Sequence, residues 1–233
     1  MIKNVMLALD GMDKDEVFNR LENSFQSISI IKIGLELYTR YGNDLLHEIY
    51  KRFNKEIFLD LKLHDIPNTV NGAIKSLQDL PIKYLTIHLS GGKDMLKQAL
   101  QQAKISLPNT KILGVSILTS INSHDLKNLW NIEKDKTDQI YENYFNLALD
   151  SNIHGIVLSP NELKILNKLD QEHKLLRVCP GIRFVGDSKN DQKRTSSPKE
   201  TLENGCDLLV IGRSLTNADS SELLKKLNYL RNL

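Results

Sequence analysis

The sequence predicts an α/β fold, a closed TIM (β/α)8 barrel that spans residues 1–233 as one domain. Eight short apolar runs alternate with amphipathic helical runs from one end of the chain to the other, as in consecutive βαβ units. The length of 233 residues suits one barrel, because such domains commonly have about 200–250 residues. Polar residues also end nearly all of the strand-like runs, where a barrel would bring them to one mouth.

The predicted strands are nearly continuous apolar runs, which is typical of strands buried on both faces. They are residues 5–10, 29–34, 57–62, 84–89, 111–118, 155–159, 175–179 and 208–212. Apolar residues at helical spacing predict helices between them. These are residues 14–25, 35–53, 68–79, 93–105, 137–151, 160–169 and 220–231.

Two segments depart from this even spacing. Residues 119–136 are longer than a simple connection, contain Trp130, and are expected to form a short additional helix. Residues 184–198 are polar and predict a loop between the last two strands, of a length usual for lids, binding loops or disordered segments.

The polar strand ends favour closure of the sheet into a barrel. In a barrel these ends converge on one mouth, whereas in an open doubly wound sheet only the ends near the switch point would meet. The first strand also lacks the Gly-x-Gly-x-x-Gly turn of a dinucleotide site. The residues expected at the mouth are Asp10, Lys32, Asp60 with Lys62, His88, Thr119, Ser159, Arg183, and Gly212 with Arg213.

Composition and charge argue against several functional classes. The formal net charge is +2 and no basic run is long enough for a nucleic-acid surface, so we expect no nucleic-acid partner. No signal region and no apolar stretch of ~20 residues is present, so we expect no membrane partner and a cytoplasmic location. Cys179 and Cys206 lie in or beside apolar runs and are expected to be buried thiols.

The stretch 58–67, which reads FLDLKLHDIP, is the most informative part of the chain. Asp60 and Lys62 alternate with leucines, so on a strand they share one face and the leucines share the other. A buried strand would point this charged face into the mouth, where charges need partners. With Asp60 and Asp65 nearby, we expect Lys62 to keep its proton and to act as a proton donor rather than as a nucleophile.

Further charges extend this group. Asp10 and Lys32 end the first two strands, and together with Asp60 and Lys62 they predict a chain of alternating charges across neighbouring strands. No histidine or cysteine pair has metal-ligand spacing, so we expect no metal site.

The end of the last strand predicts a phosphate site. Gly212 would let backbone N–H groups approach an anion, and Arg213 would supply a fork of donors. Barrel phosphate sites commonly use the loops after the last two strands, and Arg183 lies in the first of these loops.

The chain resembles the orotidine 5'-phosphate decarboxylase family along nearly its whole length. The motifs that carry the resemblance are LALD (7–10), KIGLELY (32–38), FLDLKLHDIPNT (58–69), LTS (118–120), PGIR (180–183), DQKR (191–194) and VIGRSLT (210–216). The resemblance implies a TIM-barrel homodimer with shared active sites. It also implies cofactor-free decarboxylation of orotidine 5'-monophosphate to uridine 5'-monophosphate in de novo pyrimidine biosynthesis.

The resemblance also implies roles for individual residues. Asp60, Lys62, Asp65 and Lys32 match the family's catalytic positions, and Asp65 with Ile66 and Thr69 would reach the neighbouring subunit's site. The matches to substrate-contact positions are Asp10 and Lys32 for the ribose, Thr119 near the base, and Arg183, Gln192, Gly212 and Arg213 for the phosphate. Residues 184–195 match a mobile loop that grips the phosphate.

Three other functions fit parts of the pattern. A metal-dependent decarboxylase of a sugar-acid phosphate shares the Asp-x-Lys-x-x-Asp core and should need Mg²⁺. A Schiff-base aldolase would need an amine with a depressed pKa, which neighbouring carboxylates disfavour. A non-catalytic nucleotide-binding barrel would keep Gly212 and Arg213 but lose the charged array.

Overall fold

The computed structural model describes residues 1–184, 186–187 and 195–233, and its eight strands close into a parallel barrel in sequence order. The first strand pairs with the second and with the eighth, where Met6 lies opposite Val210. The strands are β1 Ile2–Ala8, β2 Ile28–Gly34, β3 Glu56–Leu63, β4 Ile82–His88, β5 Lys111–Val115, β6 Gly155–Val157, β7 Leu176–Cys179 and β8 Leu208–Ile211. The predicted TIM barrel is therefore confirmed.

Helices surround the barrel, with at least one between each pair of consecutive strands. They are α1 Lys14–Asn23, α2 Leu35–Phe53, α3 Pro67–Ser76, α4 Gly92–Ser106, α5 Ser123–Trp130, α6 Thr137–Asp150, α7 Leu163–Leu169, α8 Pro198–Glu203, α9 Arg213–Thr216 and α10 Ser220–Arg231. Short 3-10 turns occupy Leu89–Gly91, Lys134–Lys136 and Pro160–Glu162. In the parts of the chain described, no helix combines the length and the apolar character needed to cross a membrane.

Two apolar layers hold the strands, as alternation of side chains along each strand requires. The inner layer takes at least one residue from every strand, including Phe58, and fills the barrel below its mouth. The outer layer packs strand residues such as Leu59 against the helices. Asp60 follows Phe58 and Leu59 on β3, and alternation turns its side chain inward above Phe58.

Most of the predicted elements are present, with shifted ends. The first strand begins at Ile2 rather than at residue 5, and the fifth ends at Val115 rather than at residue 118. The additional helix is confirmed as α5, which begins with a reciprocal capping box between Asn122 and Asp125. Helices α8 and α9 were not predicted, because six and four residues are too few to display an amphipathic period.

Lys55 is a buried charged residue far from the mouth, and its ammonium group has hydrogen-bond partners. Lys55 precedes β3, is 5% exposed, and donates from Nζ to the carbonyl oxygens of Gln26 and Ile28, each at 2.7 Å. Burial lowers the pKa of Lys55. Cys179 and Cys206 are both buried and free, as predicted, and burial raises the pKa of Cys179 well above its ordinary value.

A close approach of two strands requires glycine at the start of β6. Gly155 lies opposite Leu176 of β7, and a Cβ atom at Gly155 would lie 2.5 Å from the Leu176 carbonyl oxygen and 2.7 Å from its Cβ. Backbone atoms cannot move aside as the end of a flexible side chain can. An alanine there must push the two strands apart.

We therefore predict that Gly155→Ala lowers the free energy of unfolding by about 1–3 kcal/mol. The control is Gly72→Ala in α3, where an added Cβ meets no atom within 4 Å. That variant should gain up to about 1 kcal/mol, because alanine favours a helix over glycine. Denaturant midpoints at constant slope measure both changes, and equal stability of Gly155→Ala and wild type would contradict the close approach.

Candidate active site at the mouth of the barrel

A cavity of about 570 Å³ opens at the carboxyl ends of the strands. Eight of the residues predicted for the site line it: Asp10, Lys32, Asp60, Lys62, Thr119, Arg183, Gly212 and Arg213. The structure therefore brings together residues that are up to about two hundred positions apart in the sequence, as barrel closure demands.

Alternating charges cross one side of this cavity. Lys32 Nζ lies 2.7 Å from Asp10 Oδ2 and 3.9 Å from Asp60 Oδ2. Lys62 Nζ lies 2.8 Å from both carboxylate oxygens of Asp60. The predicted chain Asp10–Lys32–Asp60–Lys62 is thus present, carried by the ends of β1, β2 and β3.

Asp60 is largely enclosed, with 13% of its side chain exposed, and in the charge chain only Lys32, at 9%, is less exposed. Burial alone would raise the pKa of Asp60, but the charges of Lys62 and Lys32 outweigh it. Hydrogen bonds from Lys62 and Thr86 act in the same direction, so the pKa lies below its ordinary value. The carboxylate is therefore ionised at neutral pH.

Thr86 of β4 supports this carboxylate and was missed by the sequence analysis. Its side chain is fully buried, and its Oγ1 donates to Asp60 Oδ1 at 2.9 Å. The same oxygen accepts from the backbone N–H of Lys62 at 2.8 Å. The local sequence does not distinguish a strand threonine that only packs from one that donates a hydrogen bond to a neighbouring strand. Only the pairing of β3 with β4 reveals the role of Thr86.

The backbone of Lys62 departs from the regular strand on which the sequence prediction was based. Its φ is +49°, in the left-handed region that is costly for a residue with a Cβ atom. The register between β3 and β4 shifts between Leu59 and Leu63, the segment that includes this residue. The hydrogen bond to Thr86 Oγ1 stabilises this unusual conformation, in which the amine contacts Asp60.

Gly34 makes room for the first half of the charge chain. A Cβ atom at this position would lie 2.6 Å from Asp10 Oδ1 and 2.9 Å from Lys32 Nζ. Gly34 also lies opposite Asp60 in the pairing of β2 with β3. A larger residue would displace the side-chain ends of Asp10 and Lys32 from their present positions.

Two arginines lie on another side of the cavity. Arg183 follows β7 and Arg213 begins α9 directly after β8. Arg183 donates from Nη1 to the carbonyl oxygen of Ile182 at 2.8 Å, and Ser214 Oγ donates to the same oxygen at 3.3 Å. The loops after β7 and β8 are therefore tied together beside the arginines.

Several predicted residues are not brought into this cavity. Asp65, Ile66 and Thr69 lie at the exposed start of α3, where Asp65 Oδ1 accepts from the backbone N–H of Ile66 at 2.7 Å. Gln192 lies outside the described residues, and so does most of the loop predicted over 184–195. The roles of these residues stay predictions.

Two strand ends predicted for the mouth serve other purposes. His88 lines a neighbouring cavity of about 580 Å³ and stacks on His64 with 5.1 Å between ring centroids. Burial, His64 and Lys62 lower the pKa of His88 to about 4, so this ring is neutral at physiological pH.

Ser159 is fully buried and bonds Glu162 in a capping box. The prediction that these two residues line the mouth is wrong, because the side chains of His88 and Ser159 bond Ser90 and Glu162 of the 3-10 turns that follow them.

Apolar side chains form much of the remaining wall of this cavity. Phe58 forms part of the floor, and Ile117, Leu118 and Val157 line the same cavity. An ammonium group held beside a carboxylate and an apolar wall can stabilise negative charge that develops on a substrate and can donate a proton to it. Among the residues that the structure describes, no group of three or more His, Cys, Asp or Glu side chains is arranged to hold a metal ion.

Comparison with known proteins identifies the family to which this geometry corresponds. The model of the orotidine 5'-phosphate decarboxylase / HUMPS family matches residues 3–225. An orotidine 5'-phosphate decarboxylase of Fusobacterium nucleatum is 38% identical over 222 residues, which are 95% of this chain and 92% of that protein. One of Malacoplasma penetrans is 39% identical over 230 residues, covering 98% of this chain and 97% of the relative.

Solved structures agree in fold. The crystal structure of orotidine 5'-phosphate decarboxylase from Lactobacillus acidophilus has a TM-score of 0.82 and 30% identity, covering 98% of this chain and 97% of that chain. The crystal structure of an uncharacterized conserved protein from Geobacillus kaustophilus has a TM-score of 0.81 and 28% identity, covering 98% of both chains.

The support that Thr86 gives to Asp60 can be tested through the pH dependence of stability. A depressed pKa of Asp60 adds stability above the unfolded value of about 3.9, and this stability is lost as the pH falls through the folded value. Thr86→Val removes the hydrogen bond and moves the pKa of Asp60 up, toward its ordinary value. We predict a loss of about 1.5–3 kcal/mol at pH 7, because the bond is to a charged group.

The loss should stay constant down to about pH 4 and shrink only as the pH falls further, through the folded-state pKa values of Asp60 in the two proteins. Thr86→Ser keeps the hydroxyl and is the matched control, which should follow wild type across the range. The measurement is the free energy of unfolding from denaturant titrations at several pH values. A loss in Thr86→Val that is the same at every pH would mean that Thr86 acts only by packing.

Proposed function

The chain belongs to the orotidine 5'-phosphate decarboxylase / HUMPS family, and on that premise we propose that it converts orotidine 5'-monophosphate to uridine 5'-monophosphate in pyrimidine synthesis. The observation that carries the proposal is one cavity with the charge chain Asp10–Lys32–Asp60–Lys62 on one side and two arginines on another. This arrangement suits a substrate with a reacting carboxylate at one end and a phosphate at the other.

Lys62 performs the proton transfer in the proposed mechanism. When the bond between C6 of the pyrimidine and its carboxylate breaks, the electron pair stays on C6 and carbon dioxide leaves. The ammonium of Lys62 stabilises the resulting carbanion and then transfers a proton to C6, and solvent returns a proton to the amine. The enzyme's own residues supply each step, so the proposed reaction is independent of any metal or cofactor.

Asp60 contributes less through repulsion than through positioning. Two unit charges about 4 Å apart interact by about 4 kcal/mol at an effective dielectric of 20. The largest enzymatic accelerations require about 20 kcal/mol, so repulsion of the substrate carboxylate is too weak to account for them. The larger share comes from an ammonium that Asp60 holds in place before the substrate arrives.

The remaining contacts follow the resemblance. Asp10 and Lys32 bind the ribose hydroxyls, and Thr119 lies near the base. Arg183, Gly212 and Arg213 bind the phosphate, with Gln192 from the loop 184–195. Binding energy from this remote phosphate is then available to organise the reacting end of the substrate.

A homodimer completes the site in this proposal. Asp65, Ile66 and Thr69 lie three to seven residues after Lys62, on an exposed surface, and Ile66 is 66% exposed. A subunit interface at this surface would cover the exposed apolar side chain of Ile66. A cytoplasmic location stays a prediction.

The first test is turnover of orotidine 5'-monophosphate, followed by loss of absorbance, in wild type and in Lys62→Ala. We predict turnover by wild type that is unchanged by EDTA, and a drop of at least ~10³-fold in Lys62→Ala, because both the carbanion stabilisation and the proton donor are lost. Lys83→Ala is the matched control, because Lys83 pairs with Glu56 at 3.8 Å at the amino end of β4.

Comparable rates in wild type and Lys62→Ala would refute the role of Lys62. Loss of wild-type activity in EDTA would instead favour the metal-dependent decarboxylase of a sugar-acid phosphate. Borohydride trapping of the protein with substrate would reveal a Schiff-base aldolase.

The second test concerns the shared sites. Lys62→Ala and Asp65→Asn should each be nearly inactive as homodimers. In a mixed dimer, Lys62 of one chain and Asp65 of the other form one intact site. At statistical mixing half of the dimers are mixed, so we predict recovery of about a quarter of wild-type activity. Activity that stays at the average of the two separate variants would place Asp65 in its own subunit's site.

A further inference from the structure

We propose that Lys226 of the C-terminal helix α10 is a positioning residue for the two arginines of the candidate site. It lies outside the barrel-mouth cavity and would act through the segments that carry Arg183 and Arg213. This inference rests on the proposed function and extends it to a helix that the charge array does not involve.

Lys226 is a buried cation with three anionic or carbonyl partners. It is 8% exposed, and its Nζ donates to Asp187 Oδ1 at 2.8 Å and to the carbonyl oxygen of Ser214 at 2.8 Å. Glu222 Oε1, one turn earlier on the same helix, lies 2.7 Å away. One ammonium group thus reaches both the segment after β7 and the segment after β8.

Two of these contacts, those with Ser214 and Asp187, lead to the segments that carry the arginines. Ser214 directly follows Arg213, so the bond to its carbonyl oxygen fixes the Ser214–Leu215 peptide unit, one residue beyond that side chain. Asp187 accepts from the backbone N–H of Phe184 at 3.0 Å, and Phe184 directly follows Arg183. The Phe184 ring also lies 4.9 Å from Lys226 Nζ. Lys226 therefore sets where both arginine-bearing segments lie relative to α10.

A second cavity supports the same connection. Arg213 lines the mouth cavity and also a smaller cavity of about 140 Å³, which is lined by Asp187, Ser214 and Lys226 among others. Arg213 thus lies between the mouth and the Lys226 cluster. A shift of the cluster changes the support on the outer side of Arg213.

Electrostatics keeps the cluster charged. Burial alone would lower the pKa of Lys226, but its bonds to Asp187 and Glu222 outweigh burial and raise the pKa. Burial alone would raise the pKa of Asp187, but Lys226, Ser214 and the Phe184 amide lower it. The ion pair therefore persists across the neutral pH range.

Stability alone is a poor reason for a lysine at this position. Helix α10 already packs on the barrel through buried Leu223, Leu227 and Leu230. A buried ion pair is often no more stabilising than apolar residues of similar size, while it fixes geometry through directed bonds. Two arginines that bind one phosphate must be held in fixed positions relative to each other.

The experiment compares Lys226→Met with Lys55→Met, which removes an equally buried ammonium from the opposite end of the barrel. The kinetic constants are measured with orotidine 5'-monophosphate and with orotidine, which lacks the phosphate. Thermal unfolding of each variant is recorded in parallel. For Lys226→Met we expect KM for the phosphorylated substrate to rise about tenfold or more, and kcat/KM for orotidine to change less than about twofold.

For Lys55→Met we expect a lower unfolding temperature and unchanged KM for both substrates. Asp187→Asn should reproduce the selective rise in KM with a smaller loss of stability, so the inference remains testable if Lys226→Met does not fold. Lys226→Arg, which keeps the charge, should recover part of the affinity for the phosphorylated substrate.

The inference is overturned if Lys226→Met and Asp187→Asn leave KM for orotidine 5'-monophosphate unchanged, or impair both substrates equally. Failure of the proposed function looks different, because wild type itself would then not turn over orotidine 5'-monophosphate. In that case the dissociation constants of uridine 5'-monophosphate and of uridine are measured in place of the kinetic constants. A selective loss of the monophosphate in Lys226→Met still supports the inference, and no selective loss overturns it.

Discussion

The carboxylate of Asp60, enclosed between the ammonium groups of Lys32 and Lys62, is the interaction on which the rest of the mouth depends. A carboxylate in this position would be costly without partners, and both ammonium groups are supplied by the strand ends themselves. Lys32 comes from β2 and Asp60 from β3, so the register of these two strands determines whether the charges meet. Gly34 lies opposite Asp60 in this register. Because it has no Cβ atom, it does not clash with the Asp10–Lys32 pair.

The same constraint explains the conformation of Lys62. Its backbone is in the left-handed region at φ +49°, and in this conformation its amine lies 2.8 Å from both carboxylate oxygens of Asp60. The backbone cost is offset by the hydrogen bond from the Lys62 N–H to Thr86 and by the ion pair. Strain of this kind is typical of functional sites, where a side chain must be held in advance of the reaction.

The sequence was sufficient for the barrel and for the charge chain, because both depend on local pattern. Alternating apolar runs predict the strands, and a polar residue at a strand end must lie at the mouth if the barrel closes. Thr86 could not be assigned in this way, since its role depends on which atoms of β3 lie beside it. His88 and Ser159 were misplaced because their side chains bond residues of the 3-10 turns that follow them. In the sequence, Lys226 is indistinguishable from the exposed polar residues of an amphipathic helix, and only tertiary packing shows that it is buried.

The two sides of the cavity are built from distant parts of the chain, and the seam between β1 and β8 joins them. Asp10 follows β1, whereas Gly212 and Arg213 follow β8, and the two strands pair at Leu7 and Ile211. Gly212 packs so closely on this seam that a Cβ atom there would lie 3.3 Å from that of Ala8. Closure of the barrel therefore sets the distance between the arginines and the charge chain. Energy gained where a phosphate binds is useful for chemistry at Lys62 only if that distance is rigid, so the closed sheet itself connects binding to reaction.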